Sequence, residues 1–147
     1  MHDAPRVEGD AVANSALPDP DPDTRAFWDA AAEGRLLLRR CRDCGEHHFY
    51  PRPFCPSCWS RDVEWVEASG RATLYTYSVV RRNDLPPWHE RVPYVPAVVD
   101  LDEGPRMMTN VVGIAPDDVA IDMELVVEFR DEDDGVGVPV FRPAREP

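Results

Sequence analysis

The sequence predicts a mainly β protein with a short N-terminal helix, in which a metal-clamped ribbon precedes a five-stranded barrel of the OB type. Three observations predict it. The only four cysteines form two Cys-x-x-Cys pairs, Cys41 with Cys44 and Cys55 with Cys58, separated by ten residues. Beyond residue 69, five short segments alternate apolar and polar residues or are rich in β-branched ones, with Gly, Pro and Asp turns between them and no long helical period. Ahead of the cysteines, one stretch of good helix formers, residues 24–33, stops at Gly34.

Two residues between cysteines let both thiolates of a pair face one centre. Two such knuckles close a tetrahedron suited to Zn²⁺, with sulfur ligands near ~2.3 Å. Gly45 can take the positive φ that a tight knuckle needs, and Pro56 stiffens the other turn. Structural zinc is expected, with iron in a rubredoxin-like site, which takes the same ligands, as the alternative. A disulfide framework would need an oxidising compartment, and the N-terminus shows no apolar core of a signal peptide. Four thiolates leave no open position, so the metal is structural. His47 and His48 lie beside a shell already full.

The length of 147 residues suits one medium domain or two small ones. No apolar run approaches the ~20 residues that span a membrane, and a cytoplasmic location is expected. The net charge is −12, and all sixteen basic residues are arginine. Without lysine the chain forms no Schiff base of its own. The acidity argues against nucleic acid as the main partner.

Residues 1–22 are expected to be a disordered tail, rich in Pro and Asp. The helix follows over 23–35, with a cap at Pro22-Asp23. Phe27 and Trp28 sit about 100° apart on it. One ring is expected to be buried and the other, Trp28, to be free for a partner. The ribbon spans 36–68. Residues 36–40 read as its first strand and 63–66 as its last, with Phe49 and Tyr50 packed over the metal. Six arginines, Arg35, Arg39, Arg40, Arg42, Arg52 and Arg61, face only Asp43 and Glu46 within residues 35–61. That excess reads as a solvated face or as a seat for phosphate or an acidic partner. The OB fold spans 69–143. Its first strand starts at Arg71 and carries Tyr75, Tyr77 and Val79 on one face. A long loop with Pro86-Pro87, Trp88 and His89 leads to residues 94–101. The turn 102–105 precedes residues 106–112. Residues 123–130 put Leu125, Val127 and Phe129 inward. After the acidic loop 131–135 comes the last strand, 136–141, and then a tail over 144–147.

In this order and spacing the chain resembles the zinc-ribbon plus OB-fold proteins of acyl-coenzyme A metabolism, long known only as a domain of unknown function. The resemblance is carried by Phe27-Trp28, Gly34, Leu36, the two cysteine pairs and Trp65. It continues through Ser69-Gly70, residues 75–79, Pro93-Tyr94, residues 101–107 and residues 139–143. Ala72 and Ile121-Asp122-Met123 depart from the family's usual glycine and Ile-Gly-Met. Tyr50-Pro51-Arg52-Pro53 stands where Pro-Pro-Arg is usual. The resemblance implies a companion of a thiolase-like enzyme. The partner carries the catalytic residues, and acyl-coenzyme A is shared between the two. In actinobacterial steroid breakdown, a domain of this kind joins a thiolase-like retro-aldolase.

The residues agree, since no nucleophile, base and orienting group stand at a suggestive spacing. The residues expected to touch a partner or the coenzyme are Trp28, Arg35, Arg39, Arg40, Arg52, Trp88 and His89. Two other functions are weighed. A single-stranded nucleic-acid binder would stack bases on Tyr75 and Tyr77. A self-sufficient hydrolase or lyase would use His89 or an acidic pair as its acid or base.

Overall fold

The computed structural model describes residues 17–145. Most of the expected N-terminal tail, His2 included, and the last two residues of the chain lie outside them. Among the described residues no helix is long and apolar enough to cross a membrane.

Helix α1 covers Arg25–Ala32. Eight residues make a marginal helix in isolation, so its ends and its packing decide whether it forms. The N-cap position is Thr24 and not the expected Pro22-Asp23, its side chain makes no capping bond into the helix, and Asp21 orders the turn ahead of it. The Asp21 carboxylate accepts from the Asp23 and Thr24 N–H groups at 3.0 and 2.9 Å, and the Asp21 N–H donates to the Thr24 hydroxyl at 3.1 Å. The stop is Gly34, at φ 78°, whose N–H reaches the Ala31 carbonyl. Phe27, Ala30 and Ala31 form the buried face.

The ribbon is a three-stranded sheet of β1 (Leu37–Cys41), β2 (His47–His48) and β3 (Val63–Glu67), in the order β2-β1-β3. Phe49 and Tyr50, expected over the metal, close on the helix instead. Their ring centroids lie 5.6 and 5.8 Å from that of Phe27. The Tyr50 hydroxyl accepts from Trp28 Nε1 at 2.9 Å. Leu36 and Leu38 join Phe27 in the same core as the barrel, so ribbon, helix and barrel share one apolar interior.

The barrel comprises β4 (Arg71–Tyr77), β5 (Val95–Leu101), β6 (Arg106–Val111), β7 (Glu124–Asp131) and β8 (Gly137–Pro143). It closes in the order β4-β5-β6-β8-β7, with β4 pairing back onto β7. All neighbours are antiparallel except β6 and β8, which meet in parallel where Val111 faces Phe141. Leu125 is buried, with Val127 and Phe129 packed on the core, as the alternation predicts. The first strand departs from it. A β-bulge between Leu74 and Thr76 shifts the register. Ala72 and Leu74 point inward before the bulge and Tyr77 and Val79 after it, while Tyr75 turns out to solvent. The helix docks on β8 at Gly137. A Cβ there would lie 2.9 Å from the Ala31 carbonyl carbon, so only glycine lets the two backbones approach this closely.

Candidate functional site

β1 delivers Cys41 at its last residue, and the chain returns through Cys55 and Cys58 before entering β3. The four sulfurs lie within 4.8 Å of one another, and among the described residues they are the metal-ligating cluster, without His47 or His48. Cys41 to Cys58 and Cys44 to Cys55 are each 3.6 Å apart. A tetrahedron with metal–sulfur bonds of ~2.3 Å has edges of about 3.8 Å, whereas a disulfide needs ~2.05 Å. The spacing therefore fits a bound ion and not two bridges.

The charges point the same way. The N–H groups of Cys58 and Ser57 pull the Cys55 thiol down to about 7. Cys44, although the Glu46 N–H favours its thiolate, is pushed up to about 12 by burial and by the sulfurs around it. Four thiolates this close repel one another, and a cation at their centre is what lets all four ionise together.

The two knuckles repeat one hydrogen-bond pattern. Gly45 N–H donates to the Cys41 carbonyl at 2.9 Å, and Trp59 N–H donates to the Cys55 carbonyl at 2.8 Å. Cys41 and Cys55 N–H in turn reach the Glu46 and Ser60 carbonyls at 2.9 and 2.8 Å. Each knuckle thus has one left-handed position. Gly45 fills the first at φ 78°, and Trp59 fills the second at φ 65°. Left-handed backbone costs a residue with a Cβ about 1–2 kcal/mol. The positive φ of the first was legible from Gly45. A tryptophan in the matching place gave no such signal.

Three of the six arginines of residues 35–61 are paired with acids that lie just outside that stretch. β3 pairs with β1 and brings Glu64 to within 3.9 Å of Arg40 and Glu67 to within 3.9 Å of Arg35, which also pairs with Glu33 at 2.9 Å. Arg42 is held by Asp62 and Glu64 at 3.3 and 3.1 Å. Arg39 lies over the Trp65 ring at 4.0 Å, and burial lowers its pKa. Arg52 and Arg61 remain exposed, with no carboxylate in ion-pair range among the described residues.

Trp28 is half-buried at the helix surface, bound to Tyr50 as above. Trp88 and His89 lie in a short 3-10 turn, far along the chain from the ribbon. Trp88, Arg91, Tyr94 and Asn110 line a cavity of about 380 Å³ at the β5–β6 side of the barrel. Arg91 and Arg130 both grip Glu132, at 2.9 and 2.7 Å. Burial works against that carboxylate's charge, yet the two guanidiniums hold its pKa below the ordinary range. His89 Nε2 stands 3.6 Å from the neighbouring Glu90 carboxylate. Among the described residues it makes no hydrogen bond to a serine or cysteine.

The two tyrosines proposed to stack bases do not form a platform. Tyr77 is tied into the barrel, its hydroxyl donating to the Val119 carbonyl at 3.1 Å. The outward Tyr75 is covered by the Arg106 guanidinium at 3.6 Å, itself paired with Asp100 at 2.8 Å.

Comparison with known proteins places this geometry. Residues 28–64 match the family described as the rubredoxin-like zinc ribbon domain of ChsH2, and residues 65–130 match its C-terminal OB-fold domain. A probable enoyl-CoA hydratase alpha subunit of Thermomonospora curvata is 43% identical over 81% of this chain and 37% of its own length. The chain therefore spans little more than a third of that relative. The benzoylsuccinyl-CoA thiolase subunit BbsA of Thauera aromatica is 34% identical over 81% of this chain and 87% of its own. Among solved structures, the Ltp2-ChsH2(DUF35) aldolase has a chain that matches with a TM-score of 0.79 and 40% identity, over 88% of this chain and all of that one.

Proposed function

This chain belongs to the ChsH2 family of zinc-ribbon and OB-fold proteins, and from that membership we propose that it is the non-catalytic subunit of an acyl-coenzyme A enzyme. It docks on a thiolase-like chain that carries the catalytic groups, and the two form the acyl-coenzyme A site together. The observation that carries this reading is the match over the whole length of a chain from the Ltp2-ChsH2(DUF35) aldolase. The thiolase subunit BbsA supports a thiolase-like partner. The finer reading is retro-aldol carbon–carbon cleavage, in the shortening of a steroid side chain.

Within this reading Cys41, Cys44, Cys55 and Cys58 hold Zn²⁺. The ion supplies a cross-link and no chemistry, since its four positions are all thiolate. The knuckle N–H groups stabilise the thiolates and fix the turns. Free thiols of this kind favour the reducing cytoplasm.

Co-expression with the thiolase-like chain of the same genome tests this proposal. Light scattering on the purified material is expected to give a hetero-oligomer containing both chains. Elution of this protein as a separate species, with each thiolase-like chain offered to it, would contradict the proposal.

A further inference from the structure

We propose that Trp59, seated on Phe54 and flanked by Arg52 and Arg61, is the anchor by which this protein docks on its partner. The site it enters is an apolar pocket rimmed with carboxylates on the thiolase-like chain. The identity of that partner rests on the function proposed above; the surface itself follows from three observations.

The first is the residue's exposure. Trp59 is 73% exposed, the most open of the aromatic side chains that stand out from this surface. The second is its backbone. The first knuckle answers the same hydrogen-bond pattern with Gly45, which fits the left-handed region without strain. The second knuckle keeps a bulky ring in that region. Folding alone would be served better by glycine, and strain of this kind is characteristic of functional positions. The third is its surroundings. The indole stacks on Phe54 with centroids 5.4 Å apart and planes 11° from parallel. Pro53 and Pro56 limit the backbone on either side of Phe54 and Cys55. The ring is thus held in place before any partner arrives, which reduces the ordering cost of binding.

Charge decides the kind of partner. Arg35, Arg40 and Arg42 are neutralised within the ribbon. Arg52 and Arg61, which bracket Phe54 and Trp59 in sequence, have no carboxylate in ion-pair range among the described residues. In a chain of net charge −12, two unneutralised arginines on the segment that carries Phe54 and Trp59 complement carboxylates beside an apolar pocket. Tryptophan at the centre with arginine around it is also the composition of binding hot spots.

The test measures binding of full-length variants to the thiolase-like chain. Trp59→Gly is expected to raise Kd about thirty-fold or more, while metal content and the thermal midpoint equal or exceed those of the wild type. Trp59→Asn, which also tolerates the left-handed region, is expected to behave alike and stands in if the glycine variant is poorly folded. Replacing Arg52 and Arg61 by Gln is expected to slow association and to weaken its salt dependence. Met108→Ser, at a site 78% exposed on the barrel, is expected to bind like the wild type. If the wild type binds and both Trp59 variants bind within about three-fold of it, the anchor is overturned and the accessory role stands. If the wild type binds no thiolase-like chain, both fall.

Discussion

Cys55→Ser is expected to release the metal and unfold the ribbon. Cys41 and Cys55 are both fully buried, and their N–H groups and sulfurs hold the two knuckles together. Besides the cysteines, the loop from β1 to β3 is closed by the Arg42 N–H on the Asp62 carbonyl at 2.9 Å and by exposed side-chain contacts of Arg42 with Asp62 and of the Ser60 hydroxyl with Asp43, and exposed contacts of this kind contribute little beside a metal cross-link. Structural zinc contributes ~10–16 kcal/mol to the folding of small zinc modules, against a total stability of ~5–15 kcal/mol for an ordinary domain. The loss should not stop at the ribbon. Leu36 and Leu38 belong to the core that also holds Phe27 and the barrel, so freeing β1 opens that core to water. Metal per chain by mass spectrometry, with urea unfolding followed by tryptophan emission, is expected to show less than one ion per chain and an early first transition. A Cys55→Ser protein with a full complement of metal and an unchanged transition would contradict this account of the ribbon.

Phe141→Ala is expected to cost ~3–5 kcal/mol. Phe141 is fully buried and sits where the barrel closes. It faces Val127 on β7 and Val111 on β6, and its carbonyl accepts from Val112 N–H at 2.8 Å. Truncation would leave a cavity beneath the one parallel contact in the barrel, where the pairing is shortest. Chemical denaturation should give a lower midpoint with a similar slope. Met108→Ala, at an exposed position of the neighbouring strand, should stay within ~0.5 kcal/mol of the wild type. Equal costs at the two sites would mean that the barrel core is not where the structure puts it.

The parts of the fold written in short-range patterns were legible in the sequence. The cysteine spacing gave the metal site, because a tetrahedral shell needs two ligands from each of two tight turns. Gly34 gave the end of the helix, and the period-2 alternation gave the inward face of β7. What depends on pairing across the chain was not legible. The bulge that puts Tyr77 and Val79 on the inner face with Ala72 and Leu74, and leaves Tyr75 outside, is a register event between β4 and β5 that alternation alone does not show. The acids of β3 neutralise Arg35, Arg40 and Arg42 only because β3 lies beside β1. A count along residues 35–61 therefore overstated the positive patch and obscured that Arg52 and Arg61 are the part that survives. Proximity in sequence points Phe49 and Tyr50 to the metal, whereas in space both rings pack on Phe27. Nothing in residues 58–60 marks a left-handed turn at Trp59; its place follows from the hydrogen-bond pattern that the two knuckles share in space. The metal's identity stays beyond spacing, since zinc and iron accept the same four thiolates.

The central claim is that the bond-breaking groups reside on another polypeptide while this protein clamps, docks and shapes the site. Steady-state cleavage of an acyl-coenzyme A substrate by three purified preparations tests it most directly: this protein alone, the thiolase-like chain alone, and the two together. The account predicts no turnover by this protein alone and the highest rate from the pair. Sustained turnover by this protein with no second chain present would contradict it.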